Sequence, residues 1–130
     1  MPAGRKVVWA GRAISILACG MFLLSAFFKL KGGPELEQGF EHLGLPLTMR
    51  LPLAALELTC VAIYLIPWTA VLGAVLLGGY MGGAICAHWR AGDPVVIPIL
   101  VGVAVWAGLY LREERLRFLL PIRTGLSRVP

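Results

Sequence analysis

The sequence predicts an all-α fold: a transmembrane four-helix bundle with a short interfacial helix between its first and second helices. Three observations predict it. AVILMFWYC residues supply 58% of the 130 residues and glycine another 16, so about seven in ten are apolar or Gly, against roughly 45–50% in soluble domains. So short a chain has too little interior to hide them. Charged residues are only 15% of the chain and leave uncharged runs over 13–28, 58–87 and 94–111. The middle run, extended back to Leu51, would make one helix roughly 55 Å long. A bilayer core is only about 30 Å thick, so this segment must fold back.

The first span covers about 8–30, uncleaved. Arg5 and Lys6 precede an apolar stretch longer than a signal-peptide core, with no small-x-small cleavage site after it. Gly32-Gly33-Pro34 then breaks the chain. Leu36, Phe40 and Leu43 recur at helical spacing opposite Glu35, Glu37, Gln38 and Glu41, the pattern of a short helix on a membrane surface. The second span covers about 47–66 and stops at Pro67, whose ring lacks an N–H and clashes with the preceding turn. Trp68 beside it suits the lipid–water boundary. The third covers about 69–89. The fourth covers about 94–111, with Asp93 as its cap and Pro94 at its first position. The single domain of 1–130 ends in a basic tail over 112–130.

Four spans put both termini on one side, with Arg5, Lys6, Arg12, Arg112, Arg115, Arg117, Arg123 and Arg128. The opposite side carries Lys29, Lys31, Arg50 and Arg90. The positive-inside rule makes this a multi-pass protein of the cell inner or plasma membrane with both termini cytoplasmic. The net charge of +5 thus has a membrane explanation. It argues against nucleic acid, because the Arg-rich tail has no accompanying fold signature.

Glu57 is the residue out of place. It lies about 9 Å below the outer end of its helix, inside the hydrocarbon, where an acid is costly unless paired, protonated or wetted, and therefore marks a functional site. Lys29, with Ser25 one turn before it, His88 and Asp93 lie at similar depth on other spans, and His42 and Arg50 stand in position to roof the group. A structural ion pair of Glu57 with Lys29 or His88 is the bland alternative. Cys60 and Tyr64 share the helical stripe of Glu57, so all three point inward. Gly78, Gly79, Gly82 and Gly83 form overlapping GxxxG patterns that predict close helix packing. Pro98, Gly102 and Trp106 are spaced by four on the last span, which suggests a kink and a flat ring facing a neighbour or a bound planar molecule. Cys19, Cys60 and Cys86 show no metal-ligand spacing and no CxxC motif. They leave both a thiol role and simple packing open, and no metal site is expected.

The ordered set of Phe22-Leu23-Leu24-Ser25 with Lys29-Leu30, Phe40-Glu41-His42-Leu43-Gly44-Leu45-Pro46, Leu56-Glu57-Leu58 closing at Pro67, and Ala87-His88 leading to Gly92-Asp93-Pro94 resembles the DoxX-like membrane proteins from about Ile14 to Arg112. The resemblance implies a four-helix membrane bundle in a superfamily associated with quinol oxidase accessory subunits, thiol and oxidative-stress complexes, and receptor-assembly chaperones. It also implies that Lys29, Glu57 and His88 are the family-like polar residues. The reading that follows is an accessory redox-linked subunit. Its outer-leaflet pocket, lined by Lys29, Glu57, His88 and Tyr64, takes a quinone-like or other amphipathic molecule. Electrons pass elsewhere, since nothing here is an obvious carrier. The alternative is a non-catalytic assembly factor that docks a partner's transmembrane helix on the glycine face. Its partners would be the lipid bilayer and either another membrane protein or a second copy of itself.

Overall fold

The computed structural model of the chain describes residues 4–119, which form six helices and no strand. These are α1 (Arg5–Lys31), α2 (Pro34–Leu43), α3 (Arg50–Leu65), α4 (Ala70–Arg90), α5 (Val96–Arg112) and α6 (Glu114–Leu119). Helix α6 falls where the sequence predicts only a basic tail. Its Leu116 is buried, which folds the first part of that tail back onto the core. Positions 120–130, with Arg123 and Arg128, lie outside the described residues.

Among the described residues three segments are long and apolar enough to cross a membrane: α1, α3 with the 3-10 turn before it, and α4 with the turn before it. Helix α5 is a shorter apolar helix of 17 residues, at the low end of the roughly 17–25 with which helices span a bilayer. The surface explains the composition. Leu17, Phe27, Leu72, Val75, Ile97 and Val103 all face outward, and water-soluble monomers rarely expose apolar patches of more than a few hundred Å².

The four longer helices pack in a ring, α1 against α3, α3 against α4, α4 against α5, and α5 against α1. Phe22, Cys60, Tyr64, Leu77, Val105 and Leu109 fill its centre. All three cysteines are free, Cys19 and Cys60 buried and Cys86 exposed. Pro67 breaks the long apolar segment as expected. Ile66 is extended, and the Thr69 hydroxyl donates to Ile63 O at 2.8 Å to close α3.

Three of the four expected packing glycines, Gly79, Gly82 and Gly83, are corrected, while Gly78 does stand close to α5. A Cβ on Gly79, Gly82 or Gly83 would meet no atom within 4 Å, and one on Gly78 would meet only the Trp106 indole. The closest approaches lie elsewhere. A Cβ on Gly73 would sit 2.3 Å from Tyr64 Cα, and one on Gly11 would sit 2.7 Å from Gly108 O. Glycine density along α4 told nothing of which face meets a neighbour.

Asp93 is also corrected. Helix α5 starts at Val96 with Val95 in the cap position and no side-chain cap, and the Asp93 carboxylate accepts from two histidines instead.

Arginines finish four of the helices. Arg50 Nη1 donates to Lys29 O at 2.8 Å and Leu30 O at 3.1 Å at the end of α1, and Arg90 donates to Leu43 O at the end of α2. Arg112 reaches Tyr64 O on α3 at 3.3 Å, and Arg117 reaches Tyr110 O at 2.8 Å and Leu111 O on α5. The last carbonyls of a helix have no partner within it, and the dipole makes that end negative, so a guanidinium suits both needs. Gly32, at φ +70°, leaves the room: a Cβ there would lie 2.8 Å from Arg50 Nη1.

Candidate functional site

A cavity of about 680 Å³ lies at the end of the ring that carries the α1–α2 and α4–α5 connections. Helix α2 covers it, turning Leu36, Phe40 and Leu43 inward while Glu37 and Glu41 stay exposed. Its amphipathic pattern therefore serves as a roof. The walls come from Phe22, Ser25 and Lys29 on α1, Leu56 and Glu57 on α3, Gly79, Tyr80 and Gly83 on α4, and Pro98 and Val101 on α5. Gly79 and Gly83 thus make space for this cavity rather than contact with a helix.

Glu57 is 1% exposed. Lys29 Nζ donates to its Oε1 at 3.0 Å, and Ser25 Oγ donates to the same oxygen at 2.9 Å. Lys29 also donates to Ser25 Oγ at 2.6 Å. Ser25 and Lys29 are four residues apart on α1, so one helical face supplies both donors. The other oxygen, Oε2, is buried with no hydrogen-bond partner. Tyr80 lines the cavity with its hydroxyl close to the Glu57 carboxylate, yet outside the geometry of a hydrogen bond to Oε2. The sequence reading missed Tyr80, whose one signal is a polar-tipped ring inside the 30-residue uncharged run.

His88 lines the cavity but does not pair with Glu57. Its Nδ1 donates to Asp93 Oδ2 at 3.1 Å, and His42 Nε2 donates to Asp93 Oδ1 at 2.7 Å. This carboxylate ties the end of the roof helix to the end of α4. The hydrogen bond from His42, and then that from His88, holds the Asp93 carboxyl below the usual range. A lowered value means that the tie is fully present above the ordinary Asp range, near about pH 4, and is lost as pH falls through the folded value. Both imidazoles keep a donor N–H whether neutral or charged. Corrected for intrinsic chemistry, amide exchange in α2 is therefore expected to stay slow from about pH 7 to 5 and to accelerate below about pH 4. In Asp93→Asn it should already be faster at neutral pH and show no such step. A wild type without the acid step would contradict the tie.

Tyr64 does not line this cavity. It lies seven residues beyond Glu57, about 10 Å along the helix, in a second polar group toward the start of α1 and the end of α5. Arg112 Nε donates to Ser15 Oγ at 3.0 Å, Ser15 is 3.0 Å from the Tyr64 hydroxyl, and Tyr64 donates to Val105 O at 2.7 Å. With the phenolic proton spent on Val105, Ser15 is the donor to Tyr64. The chain of bonds is complete and joins α1, α3 and α5. Among the described residues no group of three or more His, Cys, Asp or Glu side chains is placed to hold a metal ion.

Comparison with protein families matches residues 13–108 to the model of the DoxX-like family. Neither the curated proteins nor the solved structures yield a match.

Proposed function

Because this chain belongs to the DoxX-like family of membrane proteins, we propose that it is an accessory redox-linked subunit whose cavity takes a quinone-like or other amphipathic small molecule. The observation that carries this reading is an apolar chamber with a buried, incompletely satisfied ion pair in its wall. Ligand sites are concave, mostly apolar, and oriented by a few polar groups. Positive-inside counting supports a multi-pass topology with four spans and both termini cytoplasmic, which sets the cavity in the outer leaflet of the inner or plasma membrane. In that frame Lys29, Ser25 and Glu57 orient the ligand, while His88 and Asp93 hold the roof.

A photoactivatable quinone, offered in its oxidised and its reduced form, tests the reading. It should label α1, α4 or α5 around the cavity. Gly83→Phe, whose Cβ enters open space on the cavity wall, should cut labelling about tenfold or more. Equal labelling of the two proteins, or none of either, would count against the pocket.

The empty space beside Gly82 favours a second reading, an assembly factor that seats a partner's transmembrane helix between α4 and α5. Gly82 lines the outer groove between those helices rather than the cavity, so its replacement separates the two readings.

A further inference from the structure

We infer that the molecule this cavity takes presents a neutral hydrogen-bond donor, a phenolic or hydroquinone O–H, to Glu57 Oε2. The inference rests on the cavity reading above and adds the chemistry of the ligand. Both donors in the wall converge on Oε1, and Ser25 has spent its single proton there. As the anionic half of an ion pair, Glu57 can only accept. Its Oε2 has no donor, and an unpaired acceptor in a medium of low dielectric is the kind of group that a ligand can satisfy with gain.

A quinone carbonyl or an ester would set lone pair against lone pair at this oxygen. An ammonium would bring a second cation beside Lys29, whose charge Glu57 already balances. A neutral O–H on a ring avoids both penalties, and the Phe22, Phe40 and Val101 walls suit the ring. Oε2 has almost no accessible surface, so the donor reaches it by parting the wall side chains that cover it. A quinone-like ligand is therefore held in its reduced form.

The test displaces the photoprobe from the full chain in lipid nanodiscs with 4-heptylphenol and with 4-heptylanisole, its methyl ether, each referred to its concentration in the membrane. In wild type the phenol should displace at an at least about tenfold lower concentration. The preference should persist in Tyr80→Phe, which removes the phenol of the wall. It should vanish or reverse in Glu57→Gln, where an amide N–H₂ takes the place of Oε2. Equal potency in wild type would overturn the donor inference and leave the pocket standing. Loss of the preference in Tyr80→Phe would overturn the assignment to Glu57. Should Glu57→Gln fail to fold, the wild-type comparison still decides. Undiminished labelling in Gly83→Phe would instead remove the pocket itself.

Discussion

Lys29→Met is expected to lower the stability of the protein in mixed micelles by about 3–5 kcal/mol, the usual cost of leaving one member of a buried pair uncompensated. Glu57 is almost wholly enclosed, and Lys29 has a side chain only 12% accessible, so water screens neither strongly. Ser25 alone would remain to donate to the carboxylate. The double variant Lys29→Met, Glu57→Leu should recover most of the loss, because replacing a buried pair with apolar side chains of similar volume is often neutral. Unfolding can be followed by maleimide reaction of Cys19 and Cys60, both buried, in a Cys86→Ser background. A single variant as stable as wild type would mean that the pair is solvated. A double variant no better than the single would mean that packing, not charge, holds this region.

The second large effect concerns glycines. Gly73→Ala would place its Cβ 2.3 Å from Tyr64 Cα and 2.4 Å from Tyr64 N. Main chain cannot swing aside as a side chain does, so α3 and α4 must separate. Overpacking typically costs about 1–3 kcal/mol, and we expect a loss at or above the top of that range. Gly108→Ala, at 2.5 Å from Ser15 Oγ, should behave similarly and also disturb the bonds from Arg112 through Ser15 to Tyr64. Gly79→Ala and Gly83→Ala, which meet nothing, should be neutral or gain up to about 1 kcal/mol from helix propensity. The ranking is readable from urea midpoints by circular dichroism, and a reversed order would refute the packing described above. Gly82→Leu should likewise leave the fold intact. If it abolished co-purification of a membrane partner while photolabelling persisted, the assembly reading would displace the ligand reading.

These contrasts show which parts of the architecture were legible in the residues. Uncharged runs and Pro67 mark the apolar helices because charge and missing donors act locally. The Leu36, Phe40 and Leu43 stripe marks the roof for the same reason. Glu57 stands out through the cost of desolvation, and its link to Lys29 and Ser25 follows from one helical face. Depth was the harder quantity. The Glu57, Cys60 and Tyr64 stripe does point inward, with all three buried, but a stripe runs the length of a helix and two of its members can serve opposite ends. Arg90, Arg112 and Arg117 read only as topology signals, and Arg50 as one or as a roof over the polar group, because the helix-end carbonyls they reach carry no residue identity. The two histidines drawn to Asp93 were hidden by a dipeptide that also looks like a helix start.

The tied roof leaves the side of the chamber as its way in. Met21 and Phe28 on α1 and Ile97 on α5 line the cavity and are at the same time open to the surroundings, whereas Arg90 and Asp93 fasten the cover through Leu43 O and His42. On the ligand reading proposed above, a guest would arrive laterally, out of the acyl chains, and occupancy would track how much of it dissolves in the bilayer. Each methylene added to a tail should raise apparent potency about fourfold, from roughly 0.8 kcal/mol of transfer per CH₂, until the tail outgrows the leaflet.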